Sequence, residues 1–566
     1  MANQEPLTMR TLTRLGQIVV GILLLVSFAC SSEFRDFKTA EAVITPQAIK
    51  KHDSILASDA FMGRMPFTEG ETKTINYLKN VFQQIGLKPG NKESYFQEVP
   101  MVEVTGTPSQ EMIIHGGKGD LALKFEDEFT AISRRIEPEI SVNRSPLVFA
   151  GYGIVAPEYN WNDYKDLDVK GKTVIVLVND PGYATGDSAL FKGKKMTYYG
   201  RWTYKYEEAA RQGATGVLVI HETGAAGYPW GVLRNSAEKP TLMLRPKDKN
   251  KSRCAFEGWL TEAAAEKLFS GLGMDYESLT RKAAQQGFRP VEMPGSVSLE
   301  ISNNMRYNVS HNVLGLLPGT SRADECIIYT AHWDHFGIGK KIKGDSIYNG
   351  AADNGYPLAC LLETARAFTK LRTRPLRSVL FVAVTAEEEG LIGSEYYVTH
   401  PVFPLNKTVA NINYELFIPM GEMKDVTITG YGQSQLDDYV KDAAQRQGRY
   451  VVEEPHPENG MYFRSDHFSF ARYGVPSLFC KGWTESALHG REWAQEKVND
   501  YWTNHYHQPS DEYHSGDDAS GIAMDGRLFF YIGYKLSNEA VFPEWNKGSE
   551  FKAIRDRMMS GTGQAK

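Results

Sequence analysis

An α/β fold with a largely parallel sheet covered on both faces by helices is predicted for the main body of this chain. Three observations carry that expectation. Strand-like segments recur at 326–330, 377–386, 409–416 and 475–480, the first two largely apolar and β-branched without polar alternation, the pattern of strands buried on both sides. Segments of helical periodicity alternate with them, at 357–370 and 433–447, as crossover connections require. The length of 566 residues exceeds one compact core, so a second domain is expected.

The elements follow in order. Arg10 and Arg14 precede the apolar run 18–29, too short to span a bilayer as a helix and suited to a secretory signal, with Met9 as a second candidate start. The run ends Ser27-Phe28-Ala29-Cys30, which resembles the lipobox of bacterial lipoproteins, although a Leu is usual where Ser27 stands. Residues 1–29 are then the signal and Cys30 the lipidated residue; a simple secretory signal with an incidental cysteine is the alternative. That implies export to the bacterial cell envelope, on the periplasmic side or as an outer-membrane lipoprotein, with membrane contact only through the anchor. Residues 30–44 read as a tether.

Residues 45–58 and 71–85 read as amphipathic helices, the second through Ile75, Leu78, Val81, Phe82 and Ile85. Gly86-Leu87-Lys88-Pro89-Gly90 stops it. Short strands and turns follow to about 156. Buried-type strands at 171–178 and 216–220 then enclose a helix at 204–212. This block, with Gly151-Tyr152-Gly153-Ile154-Val155-Ala156-Pro157 ahead of it, resembles the protease-associated (PA) domain, a β-rich module inserted into secreted peptidases. The expected division is 45–135 with 300–545 for a discontinuous main domain, 136–299 for the insert and 546–566 for a carboxy-terminal tail.

Composition narrows the function. The formal net charge is -6 and no basic run is present, which argues against a nucleic-acid surface. Cys254, Cys326, Cys360 and Cys480 show no C-x-x-C spacing, so buried thiols are expected ahead of disulfides or a thiolate metal site.

The chemistry gathers at strand ends. The run 326–330 leads into Ala331-His332-Trp333-Asp334-His335, and Asp353 stands at a loop-to-helix junction; sites in α/β proteins form outside the carboxyl ends of strands. The run 378–386 leads straight into Glu387-Glu388-Glu389. Adjacent carboxylates there repel unless a cation neutralises them, and the lack of polar alternation in the strand argues against a solvated acidic turn. Glu415 ends a third strand, and Tyr506-His507 supplies a late imidazole.

In that combination the chain resembles the co-catalytic zinc peptidases of the bacterial leucyl aminopeptidase and aminopeptidase Y type, whose superfamily includes glutamate carboxypeptidase II and the transferrin receptor. The resemblance implies a three-layer αβα sandwich on a mixed, mainly parallel sheet, two Zn2+ ions and a peptide substrate. Carried over, His332 and Glu415 bind one zinc, Asp353 bridges both, and Glu388 and His507 bind the second. Glu387 is the general base and Tyr506 the oxyanion donor, with a packed aromatic as the alternative for Tyr506. Asp334 orients His332, while Asp466 and His467, from a Ser-Asp-His element, support the site without ligating. The family has Asp where Glu415 stands, and Tyr356 is expected to narrow the pocket. An aminopeptidase is the leading expectation. A carboxypeptidase or dipeptidase, and a metal-free receptor-like module, are the alternatives. The oligomeric state is not implied.

Overall fold

The computed structural model describes residues 35–561 apart from 118 and 238. The signal segment and Cys30 lie outside the described residues. Helices α1 (Pro46–Leu56) and α2 (Glu69–Gln84) open the main domain. The Thr45 side chain accepts from the Ala48 amide with Pro46 in the first turn, and Thr68 accepts from Gly70, so both starts are fixed by residues suited to capping.

The main sheet is mixed. Its strands are β1 (Phe96–Pro108), β2 (Val291–Leu317), β3 (Arg322–His332), β4 (Arg377–Val384), β5 (Thr408–Asn413), β6 (Asp425–Ile428), β7 (Tyr450–Glu453) and β8 (Ser477–Lys481). Across it, β2 is antiparallel to β4, while β4, β3, β5 and β8 run parallel. Beyond β8, β6 is antiparallel and β7 parallel to β6.

Alternate residues of the central strands enter two different cores. Ile327, Tyr329 and Ala331 face a cluster with Phe368 of α3 (Tyr356–Lys370) and Phe529 and Phe530 of a later helix, Ser520–Asn538. Cys326 and Ile328 face Tyr397 and Phe470 on the other side. This double burial explains the largely apolar runs of β3 and β4 and makes three layers. Truncating a ring such as Phe381, stacked on Tyr329 at 5.1 Å, costs about 3–5 kcal/mol.

The insert has its own core. Met112, Ile114, Leu123 and Phe129 belong to it together with Phe149, Ile175, Leu218, Leu260 and Ile301. The strand Glu111–Gly116 pairs with 295–298 of β2, so residues 111–132 join the insert rather than the main domain as expected from sequence. The insert also carries a small parallel sheet, 147–149, Thr173–Leu177, Gly216–His221 and Phe256–Thr261, beside its antiparallel strands. The long β1–β2 pair, in register from Phe96↔Val313 to Ile301↔Pro108, ties the two cores together.

Both ends of the described chain depart from the expected tether and tail. Residues 35–41 are helical, and Phe37 stacks on Phe530 at 5.1 Å. Trp545 and Phe551 enter a cluster with Tyr462 and Phe468, and Arg555 of the helix Lys552–Met559 donates to the Leu405 and Thr408 carbonyls. Apolar side chains that bury this fully dock a segment. Cys254, Cys326, Cys360 and Cys480 are all free and buried, as their spacing implied.

Candidate active site at the carboxyl ends of the parallel strands

The end of β3 delivers His332, the turn after β4 delivers Glu387 and Glu388, and the turn after β5 delivers Glu415. Asp353 comes from the turn before α3 and His507 from the loop after α4 (Gly490–Asn504). Residues far apart in sequence thus meet in one place. Asp353 is the hub: its Oδ1 lies 3.2 Å from His332 Nε2 and its Oδ2 lies 3.4 Å from His507 Nε2. His332 Nε2 is also 3.3 Å from Glu415 Oε1, and His507 Nε2 is 3.2 Å from Glu388 Oε2.

These spacings test the fit of a metal. A tetrahedral ion with bonds of about 2.0–2.1 Å holds its ligand atoms about 3.3 Å apart. Each half of the cluster has nitrogen and carboxylate oxygens at that separation, and the two halves share one carboxylate through opposite oxygens. His507 Nε2 is buried and has no hydrogen-bond partner, which suits a nitrogen reserved for a cation. The donor set, imidazole and carboxylate, is that of zinc.

The electrostatics agree. Burial opposes charge on His332, but Glu415, Glu387 and Asp353 outweigh it and push its pKa well above the usual value. Burial likewise opposes charge on His507, and Glu388 and Asp353 push it up to about 10. Burial raises the Glu387 carboxyl well above the usual range, with Glu415, Asp466 and Glu388 adding to it against the pull of His332. Negative groups outnumber imidazoles here, and a cation removes the repulsion.

Three left-handed, non-glycine residues mark the same spot: Ala386 before Glu387, Leu416 after Glu415, and His507 itself. Such conformations cost about 1–3 kcal/mol each and collect where a site dictates the backbone.

The supporting contacts refine one expectation. The Asp334 carboxylate lies 3.8 Å from His332 Nδ1 and accepts its hydrogen bonds from the Glu387 and Glu388 amides at 3.1 and 3.3 Å. His332 Nδ1 instead meets the Asp334 backbone carbonyl at 3.1 Å. Asp334 therefore positions the carboxylate-bearing turn with its side chain and the imidazole with its main chain. Tyr356 also departs from expectation: it is buried, and its hydroxyl donates to Asp517 at 2.8 Å, away from the cluster.

Several contributors were not identified from sequence. Ser465 Oγ donates to Glu415 Oε2 at 2.7 Å and accepts from Asn413 Nδ2 at 2.7 Å, while Asn413 Oδ1 accepts from Thr330 Oγ1 at 2.6 Å. His335 Nδ1 lies 2.6 Å from Glu388 Oε1. Asp511 accepts from the Ala352 and Asp353 amides. Arg64, fully enclosed, donates to the carbonyls of Leu56, Trp333, Asn349 and Gly350, pinning the loops on either side of His335. Only the neighbouring Ser-Asp-His pattern signalled Ser465, and nothing local signalled Arg64.

Asp466 and His467 stand beside the ligands rather than among them. Both are buried; burial raises Asp466 to about 7 and lowers His467 to about 3. Tyr506 stacks on His507 at 3.7 Å and lines the cavity with Asp353, Glu387, Glu388 and Glu415. Burial and the surrounding carboxylates push its pKa well above the usual phenol value, so it stays a hydrogen donor. An adjoining pocket continues past Arg464 to Phe479, Trp483 and Trp502, and the insert contributes Arg201 and Tyr228 to the cleft above Glu388.

Residues 312–526 match the model of peptidase family M28. Aminopeptidase NAALADL1 of Rattus norvegicus is 28% identical over 332 residues, covering 49% of this chain and 39% of the relative. Transferrin receptor protein 1 of Gallus gallus is 24% identical over 353 residues, covering 58% and 40%. An aminopeptidase structure from Aneurinibacillus sp. strain AM-1 covers 89% of this chain and 97% of its own, at 15% identity and a TM-score of 0.46. The chain spans between a fifth and two-fifths of the length of the curated relatives it matches.

Proposed function

We propose, from the match of residues 312–526 to the model of peptidase family M28, that the protein is a zinc-dependent exopeptidase, an aminopeptidase, working with two zinc ions. The observation that carries the reading is the shared Asp353, one oxygen facing His332 and the other His507 at near-equal distances. His332, Asp353 and Glu415 would hold one ion, and Asp353, Glu388 and His507 the other. What zinc supplies once bound is an activated water and a polarised peptide carbonyl.

The chain's own groups do the rest. Glu387, whose Oε2 lies 3.9 Å from His332 Nε2, ligates in neither half and takes the proton of the attacking water. Its raised pKa suits it to hold that proton and pass it to the leaving nitrogen. Tyr506 donates its hydroxyl to the developing oxyanion. The insert, read as a PA domain, walls the cleft. Upstream of the described residues, the amino-terminal segment is read as an export signal with lipid at Cys30; palmitate-analogue labelling that persists in Cys30→Ala would refute that part.

Peptides with a free, an acetylated or a carboxy-amidated end test the activity. An aminopeptidase cleaves the free and the amidated peptides and spares the acetylated ones. Cleavage of acetylated peptides would favour a carboxypeptidase. Protein that takes up no zinc and cleaves nothing would favour a receptor-like module, as the likeness to transferrin receptor protein 1 allows.

A further inference from the structure

His335 is a histidine with no solvent exposure and one polar contact. Its Nδ1 sits 2.6 Å from Glu388 Oε1, and its Nε2 is buried without a hydrogen-bond partner. The ring is wedged in place. Gly350, at φ +60°, passes so close that a Cβ there would lie 2.6 Å from the imidazole, and Phe336 packs across it at 4.9 Å. A buried polar group that makes a single bond owes its orientation to that bond, and here the partner is a carboxylate of the metal cluster.

Glu388 is thereby divided. Oε2 faces His507 at 3.2 Å and Oε1 is occupied by His335. Glu415 in the other half is divided in the same way, Oε1 toward His332 at 3.3 Å and Oε2 held by Ser465 at 2.7 Å. A free carboxylate beside a cation can close on it with both oxygens; one whose second oxygen is engaged offers a single oxygen and leaves a position open for water.

We propose that His335 is a positioning residue that occupies Oε1 of Glu388, so that this carboxylate presents one oxygen to the second metal position, as Ser465 makes Glu415 do at the first. This rests on the zinc reading above and deepens it. The donor is Nδ1–H, so the conservative replacement is Asn, whose amide nitrogen falls where Nδ1 stands.

The test compares wild type with His335→Ala, His335→Leu and His335→Asn. Three quantities are read: zinc stoichiometry and affinity by chelator competition, kcat and KM on a free-amine peptide, and the visible spectrum of the cobalt-substituted protein. Ala and Leu should keep two ions with the weaker affinity down about 10–100-fold. Their kcat should fall about tenfold with KM within about twofold, and the cobalt band should weaken as the coordination number rises. Asn should restore all three, and Leu fills the space should Ala loosen the loop. The proposal is overturned if Ala and Leu match wild type, or if Asn loses one ion as completely as Ala does, which would make His335 a ligand. A wild type that binds no zinc would instead sink the zinc reading itself, before any variant is compared.

Discussion

His332 stands at the end of a central strand with its imidazole fully enclosed, whereas His507 hangs from a loop with 32% of its side chain exposed. The first belongs to a half supported from the sheet, where a line of buried hydrogen bonds runs from Thr330 through Asn413 and Ser465 to Glu415. The second half is held by His335, by stacking of Tyr506 on His507 and by Phe336 packed edge to face against the same imidazole. One side is rigid by construction and the other is built at a cleft wall. A hydrogen-bonded buried network resists rearrangement more than a loop-borne ligand does, so the first half should hold its ion more tightly and the second should exchange.

The largest effect breaks function in neither half. Glu387→Gln should lower kcat by about 10^2–10^4-fold while zinc content and both affinities stay at the wild-type level, measured by metal analysis alongside turnover. Loss of an ion would move Glu387 into the ligand set.

Next come the two imidazoles. His332→Ala takes the imidazole from Glu415 Oε1 and Asp353 Oδ1 and leaves them only Ser465 and His507 on their other oxygens, so it should cost about 3 kcal/mol of metal-free stability, the low end for breaking a buried pair. His507→Ala, where the lost imidazole is 32% exposed and Glu388 keeps His335, should cost less than His332→Ala and remove the exchangeable ion only. Denaturant unfolding with and without zinc separates the two. Equal costs would erase the asymmetry.

The motifs at strand ends were legible because chemistry puts them there. A strand without polar alternation that runs into Glu387 and Glu388, or into His332, announces a site, and β3 and β4 were readable from those apolar runs, while β5 and β8 were read from strand-like segments broken by Asn411, Asn413 and Ser477. The partners were not legible. Which oxygen of Glu388 faces His335, or that Ser465 reaches Glu415 across 50 residues of chain, depends on neighbours that only the fold supplies. The carboxylate of Asp334 turned to the Glu387 and Glu388 amides because the turn after β4 presents two free N–H groups to it. The docked segment before α1 did leave a trace: Phe37, Ala40 and Ile44 recur at helical spacing and all are buried, too short a signal to outweigh the polar residues between them.

Behind the rigid half lies His467, against Tyr462 and Phe479. Burial lowers its pKa to about 3, against about 6.5 in the unfolded chain. Between those values the unfolded state binds a proton that the folded state refuses. Stability from this group is therefore full above about pH 6.5 and falls by about 1.4 kcal/mol per unit below it. Asp466, raised to about 7 by burial, slopes the other way, so the difference between wild type and His467→Gln is the quantity to measure between pH 4 and 6. Unfolding curves should diverge as pH falls, with the variant losing less. Parallel curves would mean that the imidazole is charged in place.

The smallest effect probes the first half at Glu415, where the zinc peptidases that the chain resembles carry Asp. Glu415→Asp withdraws the carboxylate by one methylene, and two contacts compete for what reach remains: Ser465 Oγ at 2.7 Å and the position opposite His332 at 3.3 Å. Strand β5 and the Thr330–Asn413 bond fix the backbone, so the shorter side chain cannot keep both. If the ion prevails, Ser465 is released, and activity should stay within about tenfold, or about 1.4 kcal/mol in barrier, with zinc retained. Adding Ser465→Ala to Glu415→Asp should then cost nothing further, whereas the same serine change alone should cost several-fold in kcat. Additive losses in the double variant would show that the serine still holds the shortened carboxylate, and that the rigidity of this half comes from the ligand's own length rather than from the hydrogen bonds behind it.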